Sequence, residues 1–232
     1  MTICIIPARG NSKRIKNKNI VNFYGKPIIY YAIDLAKKSK LFSRIIVSTD
    51  SLKIAKIARK YGAETPFVRS KKLSNHHTTS TEVVIDSIKK ISSESEKYHC
   101  CIYPTAILTQ KKDLVNGYKK IKITKADYLI PVTSYDYSPL RPLEKFGSNW
   151  IKLKYSKYKK TRSQDLPELF HDTGTFYFYK TSVLLKNKGN LPLKTTYLMI
   201  NRIRTIDINE PQDLKIAKLQ YNLLKSIKKN GR

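Results

Sequence analysis

Thr2-Ile3-Cys4-Ile5-Ile6-Pro7-Ala8-Arg9-Gly10-Asn11-Ser12-Lys13-Arg14 changes chemistry at Pro7. Thr2–Pro7 is a short apolar run of strand length, without the alternation of a half-exposed strand, as expected for a strand covered on both faces. Ala8-Arg9-Gly10 ends it and begins a cationic loop. Working outward, residues 27–38 place Ile28, Ile29, Tyr31, Ala32, Leu35 and Ala36 at helical spacing, with lysines near the C-terminal end where they oppose the helix dipole. A second strand over 44–48 ends at Thr49-Asp50-Ser51, and a helix over 52–61 is stopped by Gly62. The pattern predicts a short strand at 66–68, a helix over about 81–91, a strand over 99–103, a helix over 110–121 and a strand over 128–132.

That alternation predicts an α/β domain, a mostly parallel sheet with helices on both faces. Ligands of such sheets bind beyond the carboxyl ends of the strands. The loops at 8–19, at Asp50, at 104–106 and at 131–138 are therefore expected to converge on one site. From 134 to about 169 the rhythm breaks, and Tyr135, Tyr137, Trp150, Tyr155 and Tyr158 stand among lysines; this stretch reads as an inserted arm within a single domain spanning 1–232. Strands over 173–179 and 205–208 follow, then a helix from 211 to about 228 and a basic tail over 228–232.

Composition narrows the function classes. The chain has 232 residues, 41% of them hydrophobic, enough for one large domain with a real core. No apolar run nears the ~18 residues that span a bilayer, and no secretory h-region follows Pro7, so the reading is cytoplasmic with no membrane partner. Cys4, Cys100 and Cys101 are odd in number and lack paired metal spacing; they read as small buried hydrophobes. The net charge of +29 raises nucleic acid as a partner. Lysine, however, outnumbers arginine and is spread along the whole chain. The charge reads as a solvated basic surface that favours anionic substrates; a nucleic-acid-binding module is the alternative from a different class.

Charge is densest in the first loop, where Arg9, Lys13, Arg14, Lys16 and Lys18 fall between Ala8 and Asn19. Gly10 permits a tight turn, and successive backbone N–H groups there can form an anion nest. Arg9 and Lys13 can neutralise a polyphosphate. The loop is not a Walker A sequence. Its position after the first strand favours phosphate binding over a merely solvated loop.

The residues around this loop also carry a resemblance. Ile6-Pro7-Ala8-Arg9-Gly10-Asn11-Ser12-Lys13-Arg14, Lys18-Asn19 and Gly25-Lys26-Pro27-Ile28 closely resemble the opening signature of the CMP-sugar synthetases (acylneuraminate cytidylyltransferases). Ile46-Val47-Ser48-Thr49-Asp50-Ser51, Tyr103-Pro104-Thr105-Ala106, Asp172-Thr173-Gly174-Thr175-Phe176-Tyr177 and Ile206-Asp207-Ile208-Asn209 follow in the family's order. Thr161-Arg162-Ser163-Gln164-Asp165-Leu166, His171-Asp172 and the run from Leu73 to Val83 look most like the pseudaminic acid branch. N-acetylneuraminic acid, legionaminic acid and Kdo are the alternative sugars, and a nucleotidyltransferase acting on a sugar 1-phosphate is a further reading of the same architecture.

The resemblance implies a doubly wound, Rossmann-like nucleotidyltransferase fold with an inserted dimerisation arm, and a homodimer. It implies that the anomeric hydroxyl of a nonulosonic acid attacks the α-phosphate of CTP, with Mg2+ as cofactor and pyrophosphate released. By similarity Arg9, Lys13 and Asp207 are the catalytic residues. Ala8, Arg9, Ser12, Lys13, Lys18, Asn19, Arg69 and Ser80 bind the nucleotide, and Tyr103, Arg141, Arg162, Gln164 and Tyr177 bind the sugar. Asp207 and Asn209 are the metal positions; the family's Asp-x-Asp is here Asp207-Ile208-Asn209. Competing local readings are a helix N-cap for Ser80, a core position for Tyr177, and for Asn209 a capping box with Gln212. His171 and Asp172 read either as a general-base pair or as a structural pair.

Overall fold

The computed structural model describes residues 2–188, 190 and 192–230, with side chains described to Ile227. In chain order the elements are β1 (Thr2–Pro7), β2 (Asn22–Phe23), β3 (Lys26–Pro27), α1 (Ile28–Ser39), β4 (Phe42–Ser48), α2 (Leu52–Lys60), α3 (Ser80–Lys90), β5 (Tyr98–Ile102) and α4 (Lys111–Thr124). They continue with β6 (Tyr128–Ser134), β7 (Leu143–Phe146), β8 (Trp150–Leu153), β9 (Phe170–Asp172), β10 (Phe176–Lys180), α5 (Thr181–Asn187), β11 (Thr195–Met199) and α6 (Pro211–Asn230).

The main sheet runs β11-β6-β10-β5-β1-β4, with β9 also paired to β6. β1 is parallel to β4 and β5, and β6 to β11. β10 runs against β5 and β6, and β9 against β6. The mostly parallel, doubly wound reading therefore holds, with β10 as an antiparallel member between two parallel groups.

Alternation along β1 builds both faces. Cys4 and Ile6 join Ile29, Ala32 and Ile33 of α1, Ala58 of α2 and Leu114 of α4 on one side. Ile3 and Ile5 join Val84 and Ile88 of α3 and Leu184 of α5 on the other. A side chain such as Ile5, wholly removed from water, contributes about 2 kcal/mol. All three cysteines are free and buried, as expected. A third cluster gathers Ile15, Phe23, Ile28, Ile107, Ile208 and Ala217. It anchors the cationic loop, through Ile15, on the segment leading to α6.

Several sequence expectations are corrected. Residues 66–68 form no strand, because Glu64 makes the lone bridge to Ile46 and Arg69 N–H then bonds the Thr49 carbonyl. The strand expected over 173–179 is broken at Gly174, whose φ of +62° ends β9 and restarts the chain as β10. Residues 205–208 are not a strand: β11 fills the edge beside β6, and a 3-10 turn at Arg202–Arg204 leads into extended coil. α6 continues to Asn230, past the expected start of the tail at 228; Gly231 and Arg232 lie outside the described residues. The arm contains the β7–β8 hairpin, which stands apart from the main sheet. Among the described residues, no helix is long and apolar enough to cross a membrane.

Candidate active site

The loops after β1 and β5 and the segment between α2 and α3 meet around a cleft of about 300 Å³, lined among others by Arg9, Ser12, Lys18, Asn19, Arg69, Ser80 and Tyr103. Most of the nucleotide positions implied by the resemblance are thus in one place. Ala8 is fully buried beneath them, its N–H bonded to the Ser48 carbonyl, and Lys13 projects into solvent from the same loop.

Local bonds explain the loop's shape. Gly10 N–H donates to Asp50 Oδ1 at 2.7 Å. A Cβ on Gly10 would sit 2.9 Å from Ser51 Cβ, so glycine is required by the close approach of the loop to the β4–α2 junction. Asn19 is buried and donates to the Arg9 carbonyl at 2.8 Å, closing the loop on itself. Arg69 is also buried; Asp50 stands 3.8 Å away, and Nε donates to Ser74 Oγ at 3.2 Å. Burial lowers its pKa, and Asp50 opposes that shift. Arg9 donates to the Asn75 carbonyl at 3.1 Å, drawing the loop before α3 over the cleft. His76 of that loop is held below its ordinary pKa by desolvation and then by Lys13 and Arg9. It thus reports the cationic field over the cleft that it lines.

Ser80 does not cap its helix. Thr79 does, accepting from Glu82 N–H while Glu82 Oε2 accepts from Thr79 N–H at 2.7 Å. Ser80 is left with its hydroxyl 2.6 Å from Tyr103 Oη.

Asp207 lies across the loop in a second cavity of about 730 Å³, shared with Asp136, His171, Asp172 and Arg202. Lys18 Nζ donates to the Ile208 carbonyl at 2.7 Å. Arg14 Nη2 donates to Asn209 Oδ1 at 2.6 Å, and Asn209 Nδ2 donates to Asp207 Oδ2 at 2.5 Å. Arg204, bridged to the buried Asp113 of α4, fixes the same segment. Desolvation lowers the Lys18 pKa; Asp207 raises it, and Arg14 and Arg9 lower it further.

These bonds decide how the metal positions fit magnesium. Asn209 spends its carbonyl on Arg14 and its amide on Asp207. Asp207 accepts that bond on one of its two carboxylate oxygens. Among the described residues no three His, Cys, Asp or Glu side chains gather to cage a metal. Magnesium commonly takes one or two carboxylates and completes its shell with water and substrate phosphates, a pattern to which Asp207 can supply one carboxylate. The capping box expected of Asn209 with Gln212 does not form; Asp213 Oδ2 accepts instead from Asn209 and Glu210 N–H at 2.7 Å each. Those two bonds lower the Asp213 pKa.

The sugar positions divide. Arg141 and Gln164 line a cavity of about 570 Å³ within the arm, which meets the Asp207 cavity at Asp136. Arg141 bonds the Thr161 carbonyl at 3.3 Å and Ser163 Oγ at 2.8 Å. Arg162 points into solvent and pairs with Asp165 at 2.7 Å. Tyr177 is a core residue whose hydroxyl donates to Asp172 Oδ2 at 2.6 Å. His171 Nδ1 meets the Asp172 backbone carbonyl, so the two side chains do not form a general-base pair. Asp50, Arg14 and Arg204 also shape the site. Asp50, at the carboxyl end of a buried strand, and Arg14, in the cationic loop, carry a sequence signal, and Arg204 carries none.

Comparison with known proteins bears on the family and the fold. A family model described as cytidylyltransferase matches residues 3–219. The chain is 38% identical to the pseudaminic acid cytidylyltransferase of Campylobacter jejuni serotype O:2, over 95% of this chain and 96% of that one. It is 30% identical to the CMP-N,N'-diacetyllegionaminic acid synthase of the same organism, over 95% of each. The solved structure of CMP:2-keto-3-deoxy-manno-octonic acid synthetase complexed with CTP superposes with a TM-score of 0.71 at 15% identity, covering 97% of this chain and 99% of that one. The chain with this loop and this cleft belongs to the cytidylyltransferase family.

Proposed function

We propose that the protein transfers CMP from CTP to the anomeric hydroxyl of a nonulosonic acid, with pseudaminic acid as the substrate. The observation that carries the reading is the gathering of Arg9, Ser12, Lys18, Asn19, Arg69 and Ser80 in one cleft at the strand ends, with Asp207 tied to it through Lys18. The sugar oxygen forms a bond to the α-phosphorus, and the bond from that phosphorus to the bridging oxygen of the β-phosphate breaks. Arg9 and Lys13 neutralise the departing pyrophosphate, and the hydroxyl proton passes to water. Asp207 would hold magnesium, which supplies charge neutralisation at the reacting phosphates. Arg141 recognises the sugar carboxylate through its guanidinium fork and exchanges its bonds to Thr161 and Ser163 for it.

The choice of sugar rests on the 38% relative against the 30% one at equal coverage. The arm exposes Leu143, Phe146, Trp150 and Ile151 on its hairpin, which supports a homodimer formed through it. CTP as substrate supports a cytoplasmic location. The test is pyrophosphate release from CTP and Mg2+ with a panel of pseudaminic, legionaminic and N-acetylneuraminic acids, Kdo and sugar 1-phosphates. Fastest release with pseudaminic acid is expected; no release with any acidic sugar contradicts the reading.

A further inference from the structure

α6, a helix of 20 residues, carries two apolar faces. Leu214, Ala217, Tyr221 and Leu224 turn inward onto the cluster of Phe23, Ile28 and Ile208. Tyr24 stacks on Tyr221 and donates to the Lys218 carbonyl at 3.1 Å, and Gln220 donates to the Thr205 carbonyl at 3.4 Å, so the helix is held against the domain. Ile216, Leu219, Leu223 and Ile227 follow the i, i+3, i+7, i+11 spacing of a second stripe. All four are exposed, Leu219 to 70%. The inward face already anchors the helix, so this outward stripe is not spent on the core.

The charge beside the stripe decides what can cover it. Lys215, Lys218 and Lys225 are exposed on the same helix, and no Asp or Glu lies between Leu214 and Ile227. The sequence then continues Lys228-Lys229-Asn230-Gly231-Arg232. A second copy on this face would bring lysines against lysines in a chain of net charge +29, which repels. A grooved protein partner takes a helix that is free to enter its groove, whereas α6 is packed along its inner side. Nucleic acid rewards lysines and stacking aromatics, and an aliphatic stripe gives it nothing to stack on. An anionic bilayer surface suits both features at once. Aliphatic side chains enter the acyl boundary, and lysines stay with the headgroup phosphates.

We infer that α6 is a peripheral membrane-binding element that lies on an anionic lipid surface, with Ile216, Leu219, Leu223 and Ile227 in the acyl boundary and its lysines among the headgroups. A basic amphipathic helix of this kind lies in the interface and needs no spanning segment. The lack of an apolar run long enough to cross a bilayer, which led the sequence reading away from a membrane partner, therefore does not bear on it. The apolar stripe and the lysines supply the two signals that stable surface binding takes. The binding is independent of which substrate the cleft accepts.

Co-sedimentation of the full chain with lipid vesicles tests this. An anionic surface adds roughly fivefold per lysine, so mixed phosphatidylglycerol and phosphatidylcholine vesicles are expected to bind on the order of a hundredfold tighter than phosphatidylcholine alone. Charge by itself would draw any face of so basic a protein to such a surface. The deciding variant is therefore Leu219→Gln with Leu223→Gln, which keeps every charge and a good helix former at each position. Its affinity for the mixed vesicles is expected to fall by about tenfold or more, with the thermal midpoint and the mass by light scattering unchanged. If the pair lowers the midpoint, Leu219→Gln alone decides: a smaller fall in affinity is expected, and no fall overturns the inference. Binding by the pair within about twofold of wild type overturns it, as does equal binding of wild type to both kinds of vesicle. A lower mass for the pair than for wild type would show that a second copy covers the stripe, and overturns it too.

Discussion

Lys18 Nζ donates to the backbone carbonyl of Ile208 at 2.7 Å across 190 residues of sequence. That bond joins the cationic loop after β1 to the segment carrying Asp207, so the two halves of the proposed site move together. Lys18→Met keeps the aliphatic stem and deletes the clamp. A charged hydrogen bond is worth about 1.5–3 kcal/mol, so kcat/KM for CTP is expected to fall roughly 10- to 100-fold. Steady-state pyrophosphate release measures it, and an unchanged value contradicts the coupling.

Asp207 and Asn209 give opposite expectations. Asp207→Ala removes the carboxylate proposed to hold magnesium, and turnover is expected to disappear while the thermal midpoint stays within a few degrees. In Asn209→Asp the donor to Asp207 becomes an acceptor and a second carboxylate appears beside the first. The concentration of Mg2+ giving half-maximal rate is then expected to fall. A rise would show that Asn209 serves the metal better as an amide than as an acid.

His99 is fully buried between Ser93 Oγ at 3.0 Å and Thr181 Oγ1 at 2.8 Å. Desolvation lowers its pKa to about 4. The folded state therefore resists a proton that the unfolded chain accepts near pH 6.5. The sign follows: stability present above pH 6.5 is lost as pH falls toward 4, by roughly 3 kcal/mol in total. Urea midpoints across that window are expected to drop more steeply for wild type than for His99→Gln. Parallel curves contradict the assignment.

The exposed apolar hairpin of the arm is expected to be buried in a homodimer. Trp150 is 72% exposed and Phe146 58%, and they pair directly across β7 and β8. Light scattering is expected to give twice the chain mass for wild type and a lower mass for Trp150→Glu. A wild-type monomer at micromolar concentration contradicts the proposal.

Much of this was legible where local pattern and packing agree. Thr2–Pro7 reads as a buried strand because its residues are apolar on both faces, and the sheet covers both. The strand expected over 205–208 fails because a strand also needs a free edge. β11 takes that edge, and the bonds of Lys18 and Arg204 hold the segment as coil. Ser80 lay one residue from the true cap, a distance that pattern does not resolve but the Thr79–Glu82 box does. The chain from Arg14 through Asn209 to Asp207 left no trace in spacing, since its partners lie 195 residues apart.

The central claim is attack at the α-phosphorus of CTP by an acidic sugar. Phosphorus NMR of CTP, Mg2+, pseudaminic acid and the protein tests it directly. The expected result is loss of the three triphosphate resonances, with one pyrophosphate signal and one phosphodiester signal appearing in equal molar amounts. A spectrum that shows CDP, or CTP left intact after addition of active protein and sugar, contradicts the account.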